Sequence, residues 1–473
     1  MNLKPYLLTK SENISFPIGT VMTVQKYCDK LNFKEIFDKY KTKGIPLSNL
    51  IEALLAYKLS ENRSISKASN WINREEVLNE FNLNSFEERT LFRVLELIGD
   101  NYEEVILDIK TNLSSKYTFE HTDVNMDWSS LILWGKKAPL GAHGYSRGHR
   151  PDKKQITFGV AELRNPINIP IGLTIEKGNV NDQEHFQKTF TQTIDIIKEK
   201  SLIVFDKGAN SKENLSSIEA RKMKYLTAKK MNKSTDKWIE EFDIVTSELV
   251  SLEDEIYGIK YEFPNRIDYL YFSKKLYFEQ IESRNRKIER QLKEAQELQI
   301  SIEKEHKLPK RFQVDNPLID ISYEYQTKLV ELDEKQARLL LEKSTINNRE
   351  GFFMLTSSEN LTLHTALKIY REKDSIEKIM HSLKNEIEIK PLRVWSDKSI
   401  YGAILIGFIA QLIISLIRYD YKDLKKTSTK FIKTSLMNLT VTIEKINNIK
   451  KRKIYSNFDQ INELILLQNL EIT

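Results

Sequence analysis

The stretch 119–135, FEHTDVNMDWSSLILWG, constrains this chain more than any other. It alternates, mixes β-branched with aromatic residues and closes on Gly135, so it reads as a strand. Yet it carries Asp123 and Asp127, and an acid in mid-strand is locally unfavourable. Either this is an edge strand whose acids face water, or it brings a metal-binding carboxylate to the centre of a sheet. The even separation puts both acids on one face. Taken alone, the strand fits the edge reading better; two further acids downstream change the balance.

From about 117 to 230 the elements read β-β-β-α-β-α-β. Strands are expected at 155–162 and 167–176, and Asp182 reads as the N-cap of a helix running to about Lys200. The strand SLIVFDKG ends in Asp206, a helix spans about 211–222, and a further strand covers 224–229. Sheets of this type place their sites at the carboxyl ends of parallel strands, where Asp206 would lie. After the Asp127 strand comes a glycine-rich basic loop, KKAPLGAHGYSRGHRPDKK, with Arg147, His149 and Arg150 as candidate phosphate contacts.

The flanking regions read as helical. In residues 1–115, Leu47, Leu50, Ile51, Leu54 and Leu55 form one apolar helix face, and shorter helices follow around Trp71 and from about Ser85, with Arg89 and Arg93 off the apolar face. A helix-turn-helix DNA module and an ordinary helical bundle fit this pattern equally. In 231–350, Ile281, Ile288, Leu292, Ala295 and Ile302 lie on or near a coiled-coil seam, amid basic residues that include Arg284, Arg286, Lys287 and Arg290. A second helical run over about 320–343 would complete a hairpin inserted into the sheet domain. That hairpin is either a solvated spacer or a nucleic-acid grip, and the basic clustering favours the grip. The expected organisation is 1–115, 116–230, 231–350, 351–425 and a helical tail, 426–473.

Composition excludes several classes. Cys28 is the only cysteine, so a disulfide scaffold or a cysteine-ligated zinc site is ruled out. The opening MNLKPYLLTKSENISF shows no export signal, and a cytoplasmic location is expected. The apolar run 401–417 has 17 residues and contains Gln411, whereas a membrane span needs about 20. It reads as a buried core helix. The net charge of +6 permits nucleic-acid binding without arguing for it.

After the strand GFFMLT, a helix over about 362–388 carries Tyr370, Lys373, Glu377 and Lys384 within about 60° of one another. This stripe adjoins the apolar one formed by Ile369, Ile376, Met380, Leu383 and Ile387. Here the chain resembles the DDE transposases of insertion sequences, and more narrowly the insertion-sequence-four superfamily. The signature of that group is Tyr, two residues, Arg, three residues, Glu, six residues, Lys. All four spacings match, with Lys373 in place of Arg, which keeps the charge and loses the bidentate fork. The strand at Asp127-Trp-Ser-Ser resembles the first acid motif of the family and VFDKGANSKENL the second; GYSRGHRPDKKQ and KGNVNDQ resemble connecting segments. The likeness covers about 117–420. Asp123, four residues earlier, remains a rival to Asp127.

The resemblance implies an α/β fold: a ribonuclease-H-like mixed sheet with flanking helices, interrupted by a helical insertion, plus an N-terminal helical domain. It implies a cut-and-paste DNA transposase in which Asp127, Asp206 and Glu377 hold two Mg²⁺ ions about 3.5–4 Å apart, Mn²⁺ being able to substitute. Tyr370, Lys373 and Lys384 would touch DNA, together with Arg147, His149, Arg150, Arg284, Arg286, Lys287 and Arg290. The partners would be double-stranded DNA, as terminal inverted repeats and target, and a second copy of the chain in the DNA complex; no membrane is expected. The alternatives are an inactive or domesticated DNA-binding descendant, or a nuclease without strand transfer.

Overall fold

Strand β2 (Val124–Ile132) is internal to its sheet. On one side β3 (Gln155–Leu163) pairs antiparallel, with Asp127 opposite Val160. On the other, β5 (Leu202–Phe205) pairs parallel, with Asn125 opposite Val204. β4 (Ile169–Lys177) extends the sheet antiparallel to β3. The order β4-β3-β2-β5 is therefore mixed, and Asp127 does not sit on an edge strand, while Asp123 immediately precedes β2. The computed structural model from which these elements are taken describes residues 13–135, 137–145, 150–165, 167–304, 316–321, 327–329, 332–446 and 449–466; Arg147 and His149 lie outside them.

The chain divides into two units, one formed by Met1–Tyr225 with Arg371–Thr473 and the other by Leu226–Tyr370. In the first, alternation along β2 sends Trp128 to one face, where helix α8 (Asp182–Thr193) packs. The indole Nε1 donates to Thr189 Oγ1 at 3.0 Å. Gly159 stands directly across from Trp128, and a Cβ there would come within 2.7 Å of the indole ring. Only glycine leaves that room. The residues of opposite parity, Asn125, Asp127 and Ser129, face α14 (Asp374–His381), from which Ser375 and the following Lys384 reach back to them.

The N-terminal helices belong to the same unit: α1 (Gly19–Lys30), α2 (Phe33–Asp38), α3 (Leu47–Leu59), α4 (Ile65–Ile72), α5 (Glu75–Glu80), α6 (Arg89–Asp100) and α7 (Tyr102–Lys116). They share one hydrophobic core with α15 (Asp397–Asp420) and the β2–β5 sheet. Close approach is set by two glycines: a Cβ on Gly99 would lie 1.8 Å from Lys398 O, and one on Gly402 would lie 2.0 Å from Leu95 O. The sequence reading draws a boundary near 115; in the structure the packing is continuous across it. α15 is long and apolar enough to cross a membrane, but 89% of its most apolar window is buried inside the protein. It is the core helix expected from the sequence, with Gln411 satisfied internally by Ser382 at 2.7 Å.

The tail is not wholly helical. After α16 (Thr429–Asn438), β13 (Thr440–Ile446) and β14 (Ile449–Ser456) form a hairpin, and β1 (Asn13–Pro17) adds to β13 with Phe16 opposite Val441; α17 (Gln460–Leu466) comes last. The period-2 run TVTI at 440–443 is the local cause. Helix α8 is capped by Asn181, whose side chain accepts from Glu184 N at 3.0 Å; Asp182 is the first helical residue, and the helix ends at Thr193. α9 (Lys212–Ala220) is capped by Ser211.

β6 (Lys224–Lys229) carries the chain into the second unit, where its later residues pair antiparallel with β12 (Phe352–Ser357). β9 (Arg266–Ser273), β8 (Ile256–Phe263) and β7 (Glu248–Ser251) continue that sheet, all antiparallel. Among the described residues, the expected helical insertion thus contains five strands besides its helices, three of them in this sheet. IYGIKYEF and RIDYLYFS are rich in aromatic and β-branched residues and flank a two-residue Pro264-Asn265 turn, the local pattern of a hairpin. The expected hairpin is present as α11 (Lys274–Glu303) against α12 (Glu334–Thr345), packed through Ile288, Leu292, Leu318, Ala337 and Leu341. The second helix begins at the Asp333 capping box, later than 320, and a short ladder of β10 (Ile319–Ile321) and β11 (Thr327–Leu329) precedes it. The unit also holds α10 (Lys233–Glu240) and most of α13 (Leu363–Glu372).

Candidate carboxylate site

The parallel register of β2 with β5 aligns Asn125 with Val204. Continued by two residues, it sets Asp127 beside Asp206, on the same face, because strand side chains repeat every second residue. Asp206 immediately follows β5 and opens a tight turn closed by Ala209 N donating to its carbonyl at 3.1 Å. The helix expected over 362–388 is interrupted at Lys373 between α13 and α14, and then widens into a π-turn over Ser382–Glu386, with Ile387 N donating to Ser382 O at 2.8 Å. A π-turn inserts one residue into the helical turn and so re-aims the side chains around and beyond it. Here the turn carries Lys384.

Lys373 joins the acids. Its ammonium lies 3.3 Å from Asp206 Oδ1 and 3.4 Å from Glu377 Oε1. Burial works against this charge, but the carboxylates of Asp127, Asp206 and Glu377 outweigh it and hold the Lys373 pKa above the ordinary lysine range. The lysine side chain is 4% exposed, whereas those of Asp206 and Glu377 are 46% and 59% exposed. The cation therefore lies beneath two carboxylates that remain open to solvent. Lys384 donates to Ser129 Oγ, two residues along β2 from Asp127, with its ammonium 5.6 Å from the Phe158 ring centre.

Asp123 is engaged elsewhere. Its Oδ1 accepts from Leu202 N at 2.8 Å, and its carbonyl accepts from Arg164 N at 2.9 Å, which ties the start of β2 to β5 and β3. Four strand residues separate it from Asp127, about 13 Å.

A buried acid that the sequence reading passed over completes the surroundings. Glu162 on β3 sits opposite Asn125, whose Nδ2 donates to Glu162 Oε1 at 2.8 Å; Ser375 Oγ donates to the same oxygen. Burial pushes this carboxyl up to about 7, against those hydrogen bonds and the positive charges of Arg164 and Lys373. Its other oxygen, Oε2, is buried with no hydrogen-bond partner among the described residues. The signal available in sequence was a charged residue inside the apolar run GVAEL.

The remaining candidates are dispersed. Arg150 makes a bidentate pair with Asp152 at 2.7 Å and lies 5.3 Å from the exposed Trp134 ring. Tyr370, half-buried in α13, is the last residue of the second unit, to which α11 also belongs. On α11, Arg284 lies 3.6 Å from the buried Glu350, Lys287 is half-buried, and Arg286 and Arg290 are exposed.

Among the described residues, no three His, Cys, Asp or Glu side chains converge closely enough to make a ready-formed metal cage. What the structure offers is two carboxylates on one cationic centre, with the ammonium standing where a cation would be held. The donors are hard oxygens, the type Mg²⁺ prefers, so the residues fit such an ion.

The sequence matches the family model described as the transposase DDE domain over residues 129–413, more than half of the chain. The chain belongs to the transposase DDE domain family. The matched segment contains Asp206, Lys373, Glu377 and Lys384 and begins two residues after Asp127. Among solved structures, a piggyBac transposase synaptic complex with hairpin DNA is similar at 10% identity and a TM-score of 0.43, covering 91% of this chain and 81% of that one. No curated protein matches the sequence.

Proposed function

We propose that this DDE-family chain is a DNA transposase that cleaves at the ends of its element and joins them to target DNA, acting in the cytoplasm on the nucleoid as a homodimer bound to DNA. The observation that carries this reading is the shared cation of Asp206 and Glu377, with Asp127 in its field. The spacing Tyr370, Lys373, Glu377, Lys384 supports the insertion-sequence-four group within the family. In this reading Asp127, Asp206 and Glu377 hold Mg²⁺, with Mn²⁺ as a substitute. A hard divalent cation there would polarise the scissile phosphate and lower the pKa of an attacking water or hydroxyl. The protein's own part is positional. β2 and β5 set the two aspartates side by side, α14 brings Glu377 over them, and Lys373 neutralises the repulsion of the cluster until it is loaded. Lys384, held at Ser129, contributes positive charge beside the reacting strand.

A second reading, DNA binding without cleavage, draws on the same ammonium, which already compensates the carboxylates. The deciding experiment is cleavage of a duplex carrying the element's end in Mg²⁺, comparing wild type with Asp127→Asn, Asp206→Asn and Glu377→Gln. Cleavage and joined products from wild type alone, with duplex binding retained by all, support the transposase. Binding without cleavage by wild type overturns it, and cleavage without joined products would leave a nuclease.

A further inference from the structure

The first unit holds a cavity of about 610 Å³ against α14. Ser375, Lys378, Ile379 and Ser382 line it, and at about 100° per residue these fall on one helix face, with Glu377 on roughly the opposite one. Glu377 thus faces away from the cavity, while Ser375, whose Oγ donates to Glu162, borders both the cavity and the surroundings of the carboxylates. The cavity's charged lining is Lys378, Arg418, Lys425 and Lys426 against a single acid, Glu386. Lys378 already pairs with Asp374 at 2.7 Å, while Lys425 and Lys426 are exposed.

Arg418 is the informative member. Its Nε and Nη2 donate to Thr427 O at 3.1 and 2.9 Å, and Nη2 also donates to Thr429 Oγ1 at 2.9 Å. Those acceptors are neutral. Burial holds the guanidinium below the usual arginine range, and the charge of Glu386 opposes that shift. A partly desolvated guanidinium whose hydrogen bonds go to neutral acceptors is only partly compensated by Glu386, and an anion would complete its stabilisation. The N-terminus of α16 adds to this: Ser428 and Thr429 line the cavity, and Ser428 Oγ caps Phe431 N at 3.2 Å. Such a terminus favours negative charge.

We infer that this cavity binds the sugar–phosphate backbone of DNA flanking the cleaved bond, with Arg418, Lys425 and Lys426 on the phosphates. The inference rests on the proposal that the chain acts on DNA. The volume is that of a site for a nucleotide-sized group, larger than one inorganic anion needs. A helix with its side chains is about 10–12 Å across. At 3.4 Å per step, the backbone held here would lie about three nucleotides from the carboxylates.

The test measures duplex affinity as a function of salt, with full-length protein, for wild type, Lys425→Ala/Lys426→Ala and Arg418→Lys. Both lysines are exposed, so the double variant should keep the wild-type melting temperature. Each phosphate contact contributes about 0.9 to the log–log slope, so the double variant should lose about 1.8. The control Lys177→Ala/Lys212→Ala removes two exposed charges elsewhere in the unit and should leave the slope unchanged. Arg418→Lys keeps the charge but loses the fork, so it should weaken binding with little change in slope. An unchanged slope in the double variant, or equal loss in the control, overturns the inference. If inorganic phosphate raises the melting temperature of wild type but not of the double variant, while duplex binding is unaffected, the cavity is a small-anion site and the DNA assignment fails. Failure of wild type to bind duplex at any salt would instead remove the underlying DNA reading.

Discussion

Lys373 Nζ lies 3.3 Å from Asp206 Oδ1, and this contact joins the helix after the second unit to the end of β5 in the first. The lysine stands at the arginine position of the signature that the chain resembles. Its charge is spent on carboxylates: the ammonium fills the space that Asp206 and Glu377 share.

That relationship predicts a trade between lysine and metal. Lys373→Ala leaves the acids facing one another without compensation. Losing a partner of a fully buried pair costs about 3–5 kcal/mol, but the acids here are half open to water, so about 1–2 kcal/mol is expected. Millimolar Mg²⁺ should restore more stability to Lys373→Ala than it adds to wild type, as read from melting temperatures. Lys373→Arg should stay close to wild type. An identical Mg²⁺ response in all three would separate the ammonium from the cation site.

Glu162 predicts a pH dependence. Its carboxyl is raised from an ordinary value of 4.5 to about 7 in the folded chain. A raised folded pKa means that the unfolded state releases its proton first as pH increases. Stability is therefore fully present below about pH 4.5, falls between about 4.5 and 7, and levels off above. One pKa unit is about 1.4 kcal/mol, so the loss from this group is on the order of 3 kcal/mol. Glu52, also pushed up to about 7 by burial, adds a slope of the same sign. The readout is consequently the difference in urea unfolding between wild type and Glu162→Gln. It should favour Glu162→Gln progressively from pH 5 to 7.5; a flat difference would mean that the carboxyl is not held neutral.

The glycine contact between α6 and α15 predicts large losses. Alanine is normally favoured over glycine in a helix by about 1 kcal/mol. At Gly402, however, the new methyl would sit 2.0 Å from Leu95 O. The clash should prevail, with a net loss of about 2–3 kcal/mol for Gly402→Ala or Gly99→Ala. A rise in melting temperature for either would show that the helices are free to separate.

The arginines of α11 should separate by partner. Arg286 and Arg290 are exposed, so Arg286→Ala/Arg290→Ala should lower the salt slope of duplex binding by about 1.8 with stability unchanged. Arg284 faces the buried Glu350, so Arg284→Ala should chiefly reduce stability. An unchanged slope in the double variant would make α11 a spacer.

Local pattern was enough for much of this protein. Period 2 at 119–135 and 155–162, an aspartate at a strand end, apolar spacing along α3 and α6, and the run that became α15 each report which face of an element is buried. A resemblance read from the ordered motifs around Asp127, Asp206 and the Tyr370-to-Lys384 stripe led to the DDE transposases, the family that the match over 129–413 establishes. Partners are another matter, because the period of a strand or helix carries no information about what packs on it. Only the tertiary structure placed β2 inside its sheet, paired β1 with β13 across 427 residues, and tied Asp123 to Leu202. It alone brought Lys373 onto Asp206, since that contact depends on the β2–β5 register and on where the chain returns after 226–370. Glu162 escaped notice for the same reason: a buried acid is recognised by the Asn125 and Ser375 donors that hold it, and these meet only when β2, β3 and α14 are assembled.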